Sequence, residues 1–374
     1  MEITNLSNDK NNLLERIFKL EKYNTDIKTE VMAGITTFMT MAYILVVNPM
    51  ILSQAGMDQG AVFVATALSA AIATFFMGIL ANYPIGLAPG MGLNVFFANT
   101  IVLQMGYSWQ FALMAVFIEG LIFILLTVTR LREKIIECIP MNLKFAVTAG
   151  VGLFIAFVGL QNASIVVDGA LGNMHDPLVI LTLFGLLVTG ALVAKDKKGA
   201  LLISIVVISV IGMGLGLVAL PQGIMSLNVP SLKPVFLQAF SVDINEIFSL
   251  DMVIAVFTLL FVDLFDTVGC LVGVAEKGNL LDENGNIPRA KEAMLADAIG
   301  TTTGALLGTS TVTSFIESAS GIGEGGKTGL TAITTGVLFL LSLFFAPLFI
   351  AIPTQATSAV LIIVGVMMAE SLNK

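Results

Sequence analysis

The chain has 374 residues, of which 56% are hydrophobic and 12% charged, with a mean hydropathy of +0.95. That charged share is about half of a soluble domain's, which excludes a water-soluble globular protein, and a net charge of −8 without a basic patch excludes a nucleic-acid binder. Apolar runs near the ~20 residues needed to cross a bilayer recur along the whole chain, so the fold class is an all-α, polytopic membrane protein.

The first thirty residues mix Lys10, Arg16, Lys19, Lys22 and Lys28 with Glu15, Glu21, Asp26 and Glu30. They hold no short apolar stretch ending in a small-residue cleavage site, and are read as a cytoplasmic segment rather than a removable signal peptide. Spans are expected at 31–51, 61–80, 85–103, 111–129, 145–160, 178–194, 200–218, 252–274, 293–307, 309–321, 330–352 and 356–370, twelve in all. With the N-terminus inside, 17 of the 18 Lys and Arg residues fall in cytoplasmic loops and Lys233 falls outside. Orientation follows the placement of basic residues and largely ignores acids, so this one-sidedness supports both span count and topology. Lys197 is expected in the cytoplasm and Asp168 outside.

Cys138 and Cys270 lie far apart, the second inside an apolar span, and read as packing residues rather than a disulfide or metal site. His175 is the only histidine and sits in a polar loop. No metal and no cofactor are expected.

Two segments are poor membrane helices. The third, from Pro84 to Asn94, has two prolines and three glycines in Pro84-Ile85-Gly86-Leu87-Ala88-Pro89-Gly90-Met91-Gly92, where a helix should be starting. The tenth, Gly308 to Gly321, is rich in hydroxyls and carries Glu317. Irregular backbone at membrane depth is tolerated only where protein buries it or where it lines a cavity. The two segments lie seven spans apart, which is where corresponding interrupted helices of a two-repeat transporter face each other across the binding site.

Acids within the spans mark the candidate site. Span eight places Asp263 and Asp266 at i and i+3 on one helical face, with Thr267 beside them. A charge at the bilayer centre costs at least ~2.5–3.5 kcal/mol, so this face must meet a wet or polar interior. The plainer alternative is a pair of acids satisfied by neighbouring backbone and hydroxyls, holding helices together. Glu317 is the same kind of signal, a carboxylate able to accept from ring N–H or amino groups beside a half-helix N-terminus with bare N–H groups. The Asn94 amide both donates and accepts, as the edge of a base requires; its plainer role is a helix N-cap. Glu119 and Asp297 each stand alone beside small residues, which suits a structural or supporting part. Gly321-Ile322-Gly323-Glu324-Gly325-Gly326-Lys327-Thr328 fits the phosphate-cradling pattern G-x-x-x-x-G-K-[ST]. That loop needs a buried strand before it and a soluble βαβ domain around it, so here it reads as a cytoplasmic turn.

The Gly34-Ile35-Thr36-Thr37-Phe38-Met39-Thr40-Met41-Ala42-Tyr43-Ile44 opening, Ala88-Pro89-Gly90-Met91-Gly92-Leu93-Asn94, Val262-Asp263-Leu264-Phe265-Asp266-Thr267-Val268-Gly269, and Gly308-Thr309-Ser310-Thr311 through Glu317-Ser318 together resemble the azaguanine-type purine permeases, the bacterial hypoxanthine/guanine permeases above all. The resemblance covers essentially the whole chain. It implies two inverted seven-span repeats and proton symport of purine nucleobases: hypoxanthine or guanine first, with adenine and xanthine in the same class. It implies substrate binding at Asn94, Asp263 and Glu317, and proton coupling through Asp266, Glu317 and Asp263. Gly90, Gly92, Thr267, Thr313 and Ser314 are supporting positions. It also implies a cytoplasmic segment at 1–30, core domains at 31–130 and 251–352, a gate domain at 131–250, and the start of a second gate half at 353–374. Family members continue beyond the twelfth span, whereas this chain stops at Ser371-Leu372-Asn373-Lys374, so the last two gate helices are expected to be missing. The partners implied are a purine base, a proton and the lipid bilayer, with a second copy of the chain as a candidate.

Two other classes compete. An intramembrane aspartyl protease wants its carboxylates on facing helices, whereas Asp263 and Asp266 share one. An ion channel or anion exchanger of similar architecture wants basic residues in its site for anion selectivity, and no Lys or Arg lies within a span.

Overall fold

Several apolar runs open on a residue that caps a helix. Asp58 accepts from the Ala61 amide (2.7 Å), Ser108 from Phe111 (3.2 Å) and Asp176 from Leu178 (2.8 Å), with Pro177 in the first turn of its helix. Such side chains satisfy N–H groups that a first turn leaves unpaired, so helices begin where polar loops end.

The computed structural model describes residues 13–129, 141–167, 169–221, 223–278, 280 and 287–369. A short helix α1 (Leu13–Phe18) precedes α2 (Ile27–Gln54) and α3 (Gln59–Ala81). Strand β1 (Leu87–Pro89) leads into α4 (Met91–Gln104), followed by α5 (Trp109–Val128) and α6 (Met141–Asn162). A small hairpin, β2 (Val166–Val167) and β3 (Ala170–Leu171), precedes α7 (Pro177–Ala194), α8 (Ala200–Gly214), α9 (Leu250–Lys277) and α10 (Ala290–Leu307). Strand β4 (Val312–Ser314) then enters α11 (Ser318–Gly323), and α12 (Gly329–Ile350) and α13 (Thr354–Ala369) complete the described chain. Each of the twelve expected spans coincides with one of these helices or strand–helix units. Arg130, Arg132, Cys138, Asp168 and the end of the chain at Ser371 to Lys374 lie outside the described residues.

The two poor helices are the two interrupted ones, and they meet. Strands β1 and β4 pair antiparallel with Leu87 opposite Ser314, Ala88 opposite Thr313 and Pro89 opposite Val312. Two further bonds extend the ladder, from the Gly90 amide to the Thr311 carbonyl and from the Phe315 amide to the Gly86 carbonyl, both 3.0 Å. A two-stranded ribbon leaves outer edges that lipid cannot satisfy. Hydroxyls fill them: Thr74 donates to the Leu87 carbonyl (3.1 Å) and accepts from its amide (2.9 Å), Thr301 donates to Val312 (2.8 Å), and Ser318 accepts from the Gly86 amide (3.0 Å). Because the strands run antiparallel, α4 and α11 leave the crossing in opposite directions.

Helix α10 packs on α5 and α3, and α12 on α2 and α3, while α13 packs on α6, α7 and α8. Lipid supplies no hydrophobic drive between helices, so close approach depends on small residues. A Cβ at Gly152 of α6 would lie 2.5 Å from the Gly365 carbonyl of α13, and one at Gly365 would lie 2.3 Å from the Gly152 carbonyl. Contacts sort the loops into two faces. On one, Arg289 reaches Tyr23, Lys327 reaches the Asn24 carbonyl and Lys198 pairs with Glu324. On the other, Tyr107 donates to Asp251 and the Ser226 amide donates to the Phe344 carbonyl. The basic loops described therefore share one face, as alternating spans require.

Candidate functional site

The strand crossing gathers the polar residues singled out from the sequence. On α4, Asn94 is fully buried, and its Oδ1 accepts from the Ser310 hydroxyl. It is not an N-cap: Gly90 occupies that position, and α4 begins without a side-chain cap. The Asn94 Nδ2 and the Ser314 Oγ are buried with no hydrogen-bond partner among the described residues. Buried polar groups are nearly always paired, so two orphans at one crossing call for an explanation.

On α9, Asp263 is buried and Asp266 half-buried. The Thr267 hydroxyl lies 3.1 Å from Asp263 Oδ1, 3.1 Å from both oxygens of Asp297 on α10, and 3.2 Å from the Thr313 hydroxyl on β4. Thr313 in turn lies 3.4 Å from Asp266 Oδ2. One hydroxyl carries one proton, so Thr267 serves these carboxylates alternately rather than together. Asp297, expected to stand alone, belongs to this cluster. Glu119 is likewise engaged, accepting from Thr311 (2.7 Å) and tying α5 to the broken segment.

Glu317 sits between β4 and α11. Its Oε1 accepts from the Tyr43 hydroxyl of α2 (2.7 Å), and its carbonyl accepts from Thr40 (3.3 Å). The bare amides expected beside it are absent at Ser318, Ala319 and Ser320, which donate to the carbonyls of Phe315, Ile316 and Glu317. The six-residue helix α11 closes its own first turn. Sequence reading missed Tyr43 and Thr40 as site residues, since a lone phenol in an apolar span signals nothing until its partner is known.

Gly90 and Gly92 are fixed by space. A Cβ at Gly90 would lie 2.4 Å from Thr313 Cγ2 and 3.5 Å from Asp266 Oδ2, and one at Gly92 would lie 2.2 Å from Val151 Cγ1. Between α4, α6, α9 and α13 a pocket bordered by Gly92, Leu93, Val151, Phe265, Asp266 and Met368 encloses about 10 Å³, the room of a single water. A purine is too large for it in this conformation.

The phosphate-cradle motif is occupied from within. The buried Glu30 carboxylate accepts from the amides of Lys327 (2.9 Å), Thr328 (3.2 Å) and Thr331 (3.3 Å) and from the Thr331 hydroxyl (2.6 Å). The glycine-rich turn thus gathers its N–H groups around an anion, and that anion is a side chain of α2.

Broken helices crossing at a buried polar centre, within an apolar helical bundle, define an integral membrane transporter of the inverted-repeat class. The transmembrane domain of a cyanobacterium bicarbonate transporter, BicA, superposes with a TM-score of 0.68 at 16% identity, covering 91% of this chain and 89% of that one. The murine anion transporter Slc26a9 in its inward-facing state gives 0.64 at 10% identity, covering 100% and 66%. Residues 28–374 match the permease family model. The putative permease MJ0326 of Methanocaldococcus jannaschii is 51% identical, over 96% of this chain and 83% of its own length. The guanine/hypoxanthine permease PbuG of Bacillus subtilis is 47% identical (96% and 84%), and the adenine permease AdeP of Escherichia coli 44% (97% and 81%). The chain belongs to the permease family, a family of transporters rather than enzymes, and the purine-permease resemblance read from its four motifs stands.

Proposed function

We propose that this protein carries purine nucleobases, hypoxanthine or guanine first, across the cell membrane into the cytoplasm together with a proton. Relatives named as guanine/hypoxanthine and adenine permeases support the substrate class. The observation that carries the reading is the crossing itself: the unpartnered Asn94 Nδ2 and Ser314 hydroxyl lie on the two broken segments, one of which also carries Glu317 and meets Asp266, and through Thr267 Asp263, at Thr313. A purine edge offers both donors and acceptors, and such a mixed set complements it. Anion transport, the activity named for the structural neighbours, is disfavoured because this centre is built of acids and hydroxyls with no Lys or Arg.

In this reading residues 31–130 and 251–352 form a core that binds substrate at Asn94, Asp263 and Glu317. Residues 131–250 and 353–374 form a gate, and the face that carries Lys197, Arg289 and Lys327 lies in the cytoplasm. Movement of α6 and α13 away from α4 and α9 opens the pocket beside Asp266, and the carboxylates take up the coupled proton. The test is uptake of radiolabelled hypoxanthine into proteoliposomes under an imposed pH gradient, inside alkaline. Concentrative uptake that collapses with a protonophore supports the proposal. Uptake indifferent to the gradient, or neither uptake nor binding of any purine, overturns it.

A further inference from the structure

The basic face holds a second cavity, of about 420 Å³, whose lining shares no residue with the strand crossing. Tyr23, Tyr83, Leu280, Pro288, Arg289 and Lys327 line it. Arg289 is held in place twice: its guanidinium lies 5.3 Å from the Tyr83 ring centroid, and Nη2 donates to the Tyr23 hydroxyl across 3.1 Å. Its backbone takes φ +56°, costly for a side chain without glycine's freedom. Tyr83 donates to the Pro288 carbonyl and remains a neutral phenol, because burial pushes its pKa up to about 12. The Lys327 ammonium rests on the Asn24 carbonyl (3.2 Å), and Lys22 lies 5.6 Å from the Tyr23 ring.

Among the described residues no carboxylate forms an ion pair with Arg289 or Lys327. Two acids of the same face are committed elsewhere. Glu30 accepts from backbone amides of the glycine-rich turn, and Asp26 caps its own helix through Lys28 and Thr29. Glu292, in the first turn of α10, is the described carboxylate whose charge reaches Tyr83.

An oriented guanidinium, an ammonium with two of its three N–H donors to spare and the Tyr23 phenol around one space form a donor set suited to phosphate oxygens. We propose that this cavity is a second ligand site, which binds a phosphate-bearing anion independently of the transported base. Its volume lies in the range of small-molecule sites and admits more than a bare ion. A nucleoside monophosphate and the headgroup of an anionic phospholipid present the same chemistry to this face. The cytoplasmic placement rests on the orientation proposed above; the binding does not.

The test uses the full chain in phosphatidylcholine nanodiscs. Calorimetric titration with guanosine monophosphate is expected to give saturable binding, competed by inorganic phosphate and weakened about tenfold or more by Arg289→Gln and by Lys327→Gln. Hypoxanthine affinity should be unchanged in both variants. If the source is lipid, guanosine monophosphate gives no heat, and phosphatidylglycerol in the nanodisc raises the thermal midpoint of the native chain but not of Arg289→Gln. Tyr23→Phe, which keeps the ring and removes only the hydroxyl that positions Arg289, should weaken either response several-fold and serves should Arg289→Gln fail to fold. Silence to both probes, or equal responses from the native chain and the variants, overturns the proposal.

Discussion

The Tyr43 hydroxyl donates to Glu317 Oε1 across 2.7 Å and so joins α2 of one repeat to the broken segment of the other. The phenol orients the carboxylate, and its ring lies 6.4 Å from that of Phe315. Tyr43→Phe keeps the ring and removes only the donor. A hydrogen bond to a charged group is worth about 1.5–3 kcal/mol, so hypoxanthine affinity should fall roughly 10- to 150-fold if Glu317 holds the base as proposed. Calorimetric titration measures this directly, and an unchanged affinity would remove Tyr43 from the site.

A methyl group at Gly92 would collide with Val151 Cγ1 at 2.2 Å, where α4 meets α6. Overpacking of this kind costs about 1–3 kcal/mol. Gly92→Ala should therefore disfavour the closed conformation and slow uptake, while Gly92→Ala combined with Val151→Ala should restore much of the rate. A double variant as slow as the single one would show that the damage is not steric.

Glu30 draws three amides and a hydroxyl to its carboxylate where α2 meets the start of α12. Glu30→Ala leaves the Lys327 and Thr328 amides without their acceptor, at about 1–3 kcal/mol for each one that stays buried, while Thr331 keeps the Thr328 and Glu30 carbonyls for its amide and hydroxyl. The expected result is a drop of several degrees or more in the thermal midpoint of the detergent-purified protein, with Glu30→Gln falling between the variant and the native chain. An unaltered midpoint in Glu30→Ala would mean that water satisfies the turn just as well.

These pairings also mark the limit of what the sequence disclosed. Span positions were legible because bilayer thickness sets a length that hydropathy meets or misses, and the two interrupted segments because Pro84, Pro89 and a run of hydroxyls cannot build a lipid-facing helix. The acids of α9 stood out by their cost in a membrane. What stayed hidden were partners brought together only by the fold. Tyr43 lies 274 positions from Glu317, Glu30 297 from Lys327, and Asp297 30 from Thr267. Such polar residues are visible singly in a sequence, but nothing local states which of them approach. The register of β1 on β4 was hidden for the same reason, because three-residue strands carry no alternation to read.

The proposed orientation, with the basic loops in the cytoplasm, is open to a direct test. In a background with Cys138 and Cys270 replaced by Ser, Lys197→Cys should resist a membrane-impermeant maleimide applied to intact cells, and Asp168→Cys should react with it. The reverse pattern would invert the topology and place the Arg289 cavity outside.

The last prediction separates the carboxylates. Glu317 is anchored within the proposed core by Tyr43 and Thr40, on the segment that pairs with β1. Asp266 instead borders the small pocket between α4, α6, α9 and α13, touching Thr313 at 3.4 Å, at the boundary proposed above to open during transport. Position therefore suits Glu317 to grip the base and Asp266 to exchange a proton as the boundary opens. Glu317→Gln removes the anionic acceptor and presents an unwanted donor to a ring N–H, so hypoxanthine binding should weaken roughly 10- to 150-fold. Asp266→Asn preserves size and hydrogen-bonding capacity but cannot carry a proton, so binding should stay within about twofold while gradient-driven accumulation disappears. Calorimetry and proteoliposome uptake on both variants decide the matter. Normal binding by Glu317→Gln, or accumulation against a gradient by Asp266→Asn, would show that the two acids do not divide the work in this way.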